Sequence, residues 1–251
     1  MARRVCDVIL YNGEKFLLDI RREILKDVVD LFIVKQATTT FSGLPRELFI
    51  PDQENTKTEV VNFPENLDTW GRDRYQRGHI LDLEKYGVDD NWIILTSDLD
   101  EVPDPNALEW LKENFEDDEI YSFEQTMFQF FLNVVNTSES WAGTRACSLE
   151  TYKKIDAETL RQQYMTNVLP NAGWHWSFLG GKQMIENKIK SYAHQEYNSE
   201  FILNDINRKI NENKDIFERG FVLKTVVIDE NFPEYIRENQ EKLSSLIKKY
   251  S

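Results

Sequence analysis

The stretch Trp92-Ile93-Ile94-Leu95-Thr96-Ser97-Asp98-Leu99-Asp100-Glu101 runs from a continuous apolar segment straight into a cluster of acids. Four consecutive apolar residues of this kind predict a strand buried on both faces, at the centre of a parallel sheet. Carboxylates at the carboxyl end of such a strand stand where open α/β sheets bind their ligands. Asp98 and Asp100 are two positions apart, and on a strand leaving the sheet that spacing turns both toward one cation. Manganese and magnesium take oxygen ligands and keep further positions for water or substrate phosphate. The expected cofactor is therefore Mn2+ or Mg2+, with Asp98 and Asp100 as ligands. A second chemistry uses the same residues. Asp98-Leu99-Asp100-Glu101-Val102 also fits the D-x-D-x-T/V pattern of haloacid-dehalogenase-like phosphatases, with Asp98 as nucleophile. Those enzymes carry the motif on their first strand, and here it lies on a later one.

Outward from this point, Asp104-Pro105 predicts a helix start, an N-cap followed by proline at the first helical position. Leu108, Leu111 and Phe115 supply that helix's apolar stripe. Upstream, residues 5–11 read as a buried strand ending at Asn12-Gly13. Residues 16–28 read as a helix with Leu17, Ile20, Ile24 and Val28 on one face. A second strand covers 31–34, an irregular excursion 41–57, a strand resumes at Val60-Val61, and residues 70–86 are helical in pattern up to Gly87. This alternation implies a mostly parallel sheet with right-handed crossovers, flanked by helices. Downstream, 120–135 is rich in phenylalanine and reads as longer paired strands. Residues 180–191, 201–217 and 232–250 read as helices whose charged faces are solvated surface.

Thirty basic against forty-four acidic residues leave a net charge of −14, which excludes nucleic-acid coating and anionic membrane surfaces as partners. A phosphate-bearing ligand remains compatible, since a bound cation supplies positive charge locally. Cys6 and Cys147 are too few for a disulfide framework and read as buried small side chains. No apolar run approaches the ~18 residues of a membrane span. Asp7 interrupts any signal-peptide core, so the chain reads as cytoplasmic. No repeat or linker divides it, and residues 1–251 read as one domain.

With the flanking segments added, the chain resembles glycosyltransferase family 17, which includes the animal enzymes that add the bisecting β-1,4-N-acetylglucosamine to N-glycans. Tyr11-Asn12-Gly13-Glu14 through Leu18-Asp19-Ile20-Arg21 is similar to that family's opening strand and helix. Val29-Asp30-Leu31-Phe32-Ile33-Val34 with Thr40-Phe41-Ser42-Gly43-Leu44-Pro45 is similar to its second strand and loop. Residues 70–77, 97–103, Gly173-Trp174-His175-Trp176-Ser177 with Gly180-Gly181, and Ala193-His194-Gln195-Glu196 follow in the family's order. Phe232-Pro233-Glu234-Tyr235 is similar to its C-terminal helix start. The resemblance implies a GT-A type fold, a nucleotide-diphospho-sugar donor (UDP-linked, with an N-acetylglucosamine-like sugar), a divalent metal, a glycan acceptor and inversion at the anomeric carbon. Residues 5–115 then form the nucleotide-sugar-binding half, 116–200 the acceptor and metal-completing half, and 201–251 a helical extension. One departure is Lys35-Gln36, where the second strand is expected to end in an acid.

The resemblance also distributes roles. Asp100 is expected to ligate the metal, Asp98 the metal or the donor's ribose, and the late histidine His194 completes the metal shell. Asn12, Glu14 and Arg21 are placed to meet the nucleoside, Gln36 a nucleobase or sugar hydroxyl, and Arg77 the nucleotide's phosphates. Trp174 and Trp176 are expected as an aromatic platform for a sugar ring, with Arg145 also on the substrate side. Glu101 orients the site or contacts the acceptor. The base that takes the acceptor's proton is His175, with Glu124, Glu139 and Glu196 in competition. A non-catalytic sugar-binding module is the third reading beside transferase and phosphatase. It requires neither a metal strand nor an arginine-bearing helix.

Overall fold

The computed structural model describes residues 2–250. In chain order the elements are β1 (Arg4–Leu10), α1 (Lys15–Leu25), β2 (Leu31–Gln36), β3 (Thr56–Val60), α2 (Thr69–Gly78), β4 (Trp92–Asp98), β5 (Glu101–Pro103) and α3 (Pro105–Asn114). They continue with β6 (Tyr121–Phe123), β7 (Gln125–Gln129), β8 (Val134–Trp141), β9 (Arg145–Ser148), α4 (Leu149–Lys154), α5 (Ala157–Gln163) and β10 (Val168–Leu169). The last are β11 (Gly173–Ser177), α6 (Gly181–Ser191), α7 (Glu200–Glu212), β12 (Leu223–Thr225) and α8 (Glu234–Glu238).

The fold is mixed α/β. A seven-stranded sheet has the order β10-β6-β9-β4-β1-β2-β3, parallel from β4 through β3. β4 lies at its centre between β1 and antiparallel β9, with Trp92 through Ser97 buried, as the apolar run predicts. Its side chains alternate. Ile93, Leu95 and Ser97 share the face of Val5, Asp7 and Ile9 and meet α1, while Trp92, Ile94, Thr96 and Asp98 face α4 and α5. Leu17, Leu18 and Leu25 of α1 are at most 2% exposed, each contributing about 1.5–3 kcal/mol of burial. Cys6 and Cys147 flank Ile94 from the two neighbouring strands, buried and unpaired. Asp104 caps α3 by accepting from the Asn106 backbone N–H, with Pro105 in the first turn.

A second, five-stranded sheet has the order β12-β8-β7-β11-β5. It interleaves with the first: β5, straight after the acidic cluster, leaves for the second sheet, while β6, β9 and β10 return to the first. Where long paired strands are expected over 120–135, two short ones lie in different sheets, β6 in the first and β7 in the second, and β7 pairs with β8, which begins at Val134. Glu124 marks the crossing, and a break follows at Phe130 (φ 69°).

Three helices are shorter than their patterns suggest. The 70–86 pattern gives α2, then an extended stretch in which Leu81 and Leu83 point inward while Ile80 and Asp82 do not, a period of two. Only a 3-10 turn, Glu84–Tyr86, remains before Gly87 (φ 80°). α7 stops at Asn213, a left-handed C-cap (φ 50°). The 232–250 pattern yields α8 and a turn at Ser244–Leu246. There the Asn133 side chain accepts from the Lys248 backbone N–H (2.8 Å) and donates to its carbonyl (3.0 Å), taking groups a continuing helix would need.

Candidate active site

The acidic turn after β4 is braced from beneath. Ser97 faces α1, and there Arg21 donates to Asp7 through Nε and Nη2 (both 2.8 Å) and to Ser97 Oγ (2.7 Å). Its Nη1 reaches the carbonyls of Asp98 (3.0 Å), Leu99 (3.3 Å) and Glu101 (2.7 Å). With no exposed surface, Arg21 cannot meet a nucleoside as expected; it shapes the turn that carries the carboxylates.

Asp98 turns to the opposite face, between α2 and α5. Arg77 pairs with one oxygen and Arg161 with the other (3.2 Å). Arg77 also holds Asp73 (2.9 Å) and Glu158 (2.9 Å). Burial pushes the Asp98 carboxyl upward, against the lowering effect of Arg161 and Arg77. Glu101 is completely buried. Its carboxylate accepts from Arg161 (2.7 and 3.0 Å), Trp141 Nε1 (2.7 Å) and the Asp98 backbone N–H (2.9 Å). Burial disfavours its charge, but the Arg161 guanidinium outweighs that and holds the carboxyl at about 2. Glu101 thus positions its neighbours and reaches neither acceptor nor donor. A β-carbon at Gly143 would collide with this carboxylate, which explains the glycine there.

Asp100 points toward α6. Lys188 Nζ bridges Asp100 Oδ2 (2.8 Å) and Glu14 Oε1 (3.1 Å). His175 Nε2 stands 3.7 Å from Asp100 Oδ1, and the Trp141 ring covers the imidazole at 5.3 Å. Burial opposes the charge on Asp100, yet Lys188 and His175 keep its carboxyl far below the carboxylate range; Lys188 is held correspondingly above the lysine range.

These groups form one side of a cleft of about 550 Å³. Asn12, Glu14, Arg77, Asp98, Asp100, His175 and His194 all line it. Its aromatic lining is Trp70, Trp141, Tyr197, Phe217 and Phe221, of which Trp141 abuts Glu101, Arg161 and His175. Carboxylates outnumber cations in the lining by one: Glu14, Asp73, Asp98, Asp100, Glu139 and Glu158 against Arg74, Arg77, Arg161, Lys188 and Arg219. A larger groove of about 1220 Å³ runs between α1 and α8 past Trp174, and none of Asp98, Asp100 and Glu101 lines it.

Several expected residues lie elsewhere. On β11 the alternation sends His175 and Ser177 to the cleft and both tryptophans away from it. Trp176 is in the core, stacked 5.7 Å from Trp174, which faces the other groove, so neither is a sugar platform here. Gln36 is buried with its amide on the Phe49 backbone (2.8 and 2.9 Å), out of reach of a nucleobase. Arg145 is buried among the carbonyls of Ala142, Thr144, Arg161 and Tyr164 and touches no open surface. Glu124 accepts from Ser140 (2.8 Å) on the face of β8 away from the cleft. Glu196 is exposed and holds His194 Nδ1 (2.7 Å). Glu139 shares a face of β8 with Trp141, lines the cleft, and has no partner among the described residues.

The expected metal set Asp98, Asp100 and His194 is not brought together. Both oxygens of Asp98 are engaged by guanidinium groups, and His194 packs on Trp70 at 4.3 Å between ring centres. Among the described residues no cluster of three His, Cys, Asp or Glu is arranged around one point. Of these three, only Asp100 fits a cation in donor chemistry, since its carboxylate already holds one, the Lys188 ammonium.

A family model described as glycosyltransferase family 17 matches residues 1–222. The chain belongs to this family. It is 30% identical over 192 residues to the β-1,4-mannosyl-glycoprotein 4-β-N-acetylglucosaminyltransferases of Homo sapiens, Rattus norvegicus and Mus musculus. The match covers 68% of this chain and 35% of each relative, so the chain spans about a third of their length. Every cleft residue of this family 17 chain falls within the matched range. Membership weighs against the phosphatase and binding-module readings, and Asp98, clasped by two arginines, is poorly placed as a nucleophile. Among the described residues no helix is long and apolar enough to cross a membrane.

Sequence reasoning passed over Arg161, Lys188, Trp141, Glu158 and the Tyr197–Phe217–Phe221 wall of the family 17 cleft. One signal was available: Lys188 lies three residues after Ile185 and four before Tyr192, on the helix face that α6 buries. Lys209 of α7, also read as solvated, is likewise buried and paired with Glu218 (2.6 Å). For Arg161, on a two-turn helix, no local pattern announces a partner.

Proposed function

We propose that this chain carries the catalytic site of an inverting, metal-assisted glycosyltransferase of GT-A type, which moves an N-acetylglucosamine-class sugar from a UDP-linked donor to a glycan hydroxyl. The observation that carries it is a single cleft lined both by strand-end carboxylates with their paired cations and by half-buried aromatic rings. A charged, phosphate-bearing donor suits the first side. Apolar sugar faces suit the second.

Arg77, with all three nitrogens on Asp73, Asp98 and Glu158, fixes Asp98 at the donor's end of the cleft, and Asn12 and Glu14 bound the same end. Asp100 would hold the divalent cation, whose chemistry is to neutralise the charge that develops on the departing diphosphate. The acceptor lies against Trp141, Tyr197 and Phe217. Its hydroxyl oxygen bonds to the anomeric carbon as the carbon–oxygen bond to the diphosphate breaks, the electron pair leaving on the diphosphate oxygen. Glu139, the unpartnered carboxylate on this side, takes the hydroxyl proton. His175 is less suited to that role, because its Nε2 faces Asp100 and its Nδ1 is buried without a partner.

Isothermal titration with UDP tests the reading. A cleft with a surplus carboxylate needs an added cation to accept a diphosphate, so chelation of manganese should weaken UDP binding at least ~10-fold. Equal affinity with and without chelator would remove the metal. Absence of UDP binding in both would remove the donor assignment itself.

A further inference from the structure

Asp100 divides its two oxygens between different neighbours. Oδ2 receives Lys188 Nζ at 2.8 Å. Oδ1 accepts no hydrogen bond among the described residues, and His175 Nε2 stands 3.7 Å from it. That separation is too long for a hydrogen bond. It suits two donors sharing one metal: each about 2.1 Å from the ion, they stand roughly 3–3.7 Å apart at ordinary coordination angles.

The imidazole is held in place independently of any ligand. β11 pairs His175 with Glu101 of β5 and Met127 of β7. Trp141, fixed through its Nε1 on Glu101, covers one face of the ring. Of the other cleft donors, Asp98 is committed to Arg77 and Arg161, Glu14 to Lys188 and His194 to Glu196. Glu139 has no hydrogen-bond or ion-pair partner, Asp100 included, among the described residues. Lys188 adds a second constraint. Its ammonium bridges Glu14 and Asp100, so a bare divalent cation at Oδ1 meets a fixed like charge close by. An anion that reaches both positive groups relieves that repulsion, and a diphosphate has the oxygens to do so.

We propose that the divalent cation is taken up between Asp100 Oδ1 and His175 Nε2, and that Lys188 on the other oxygen makes this uptake depend on the donor's diphosphate. The inference rests on the donor reading above and adds the ligand set and the order of binding. His194 then lies outside the metal shell, and His175 has a role other than base.

Electron paramagnetic resonance with Mn2+ tests it directly. Wild type should bind Mn2+ at least ~10-fold more tightly with UDP than without, within the usual range of coupling between two ligands. The bound ion should show an electron spin-echo modulation from one imidazole nitrogen, which changes when the histidines are labelled with 15N. His175→Ala should lose the modulation and at least ~10-fold in affinity; His194→Ala should keep both. Lys188→Met should raise Mn2+ affinity without UDP and shrink the UDP enhancement by ~10-fold. No imidazole modulation in wild type, its persistence in His175→Ala, or an unchanged enhancement in Lys188→Met would overturn the proposal. The labelled wild type gives the answer even if His175→Ala does not fold. UDP affinity from the same samples separates the cases. Bound UDP and Mn2+ without an imidazole signal sinks only this inference, whereas no UDP binding sinks the donor reading beneath it.

Discussion

The two walls of the cleft are built on different principles. The charged wall has Asp100 and Glu101 buried and Asp98, Arg77, Arg161 and Lys188 half-buried, and most of its oxygens and nitrogens have a named partner. It hangs on a central strand and on helices packed against it. The aromatic wall, Trp70, Trp141, Tyr197, Phe217 and Phe221, is half-buried and comes largely from turns and connections. Tyr197 and Phe217 stack at 4.1 Å, and Arg219 lies over both Phe217 and Phe221. Ion pairs shielded from water on most sides define positions closely, because an unpaired member is expensive. Stacked rings offer area without a required orientation, so they suit a partner recognised by shape. The contrast matches a donor of fixed chemistry on one side and a saccharide on the other.

The charged wall should break abruptly. Arg161→Met leaves Glu101 buried with no guanidinium and should cost about 3–5 kcal/mol of stability, measured by urea unfolding at pH 7. The pH dependence has a definite sign. Glu101 titrates at about 2 in the folded protein, below its ordinary carboxylate value. Its stabilising contribution is complete above that ordinary value and is lost as pH falls toward 2. The deficit of Arg161→Met should therefore shrink on acidification. A deficit that is constant from pH 7 to pH 3 would mean the pair contributes little.

Between the walls, Glu139→Gln should reduce turnover by ~10²-fold with UDP affinity unchanged, as expected for loss of a general base. Full turnover in Glu139→Gln, measured with any accepted glycan, would return the base to another group. On the aromatic wall Phe217→Ala should act gradually, raising the acceptor's KM about 2–10-fold with little change in kcat, the signature of uniform binding. A large fall in kcat instead would show that this wall positions the reacting hydroxyl as strictly as the charged wall positions the donor.

Local patterns were enough to locate the central strand, the acids at its end, the capped helix after Asp104 and the amphipathic face of α1. Each depends on spacing within a few residues, where strand and helix periods leave little freedom. The family's motifs, spread in order along the chain, added the transferase reading. Which groups those acids meet was settled only by the tertiary structure. Asp100 and Lys188 lie 88 positions apart and Glu101 and Arg161 lie 60 apart, and no local period links such pairs. The same holds for the choice between histidines. His175 and His194 each stand in a family motif, but the pairing of β11 with β5 and β7 brings His175 to Asp100, while the turn after α6 lays His194 on Trp70. Even Gly173-Trp174-His175-Trp176-Ser177, whose period of two was legible, needed the second sheet to decide which of its faces was the core, because alternation specifies two faces and only packing assigns one of them to solvent.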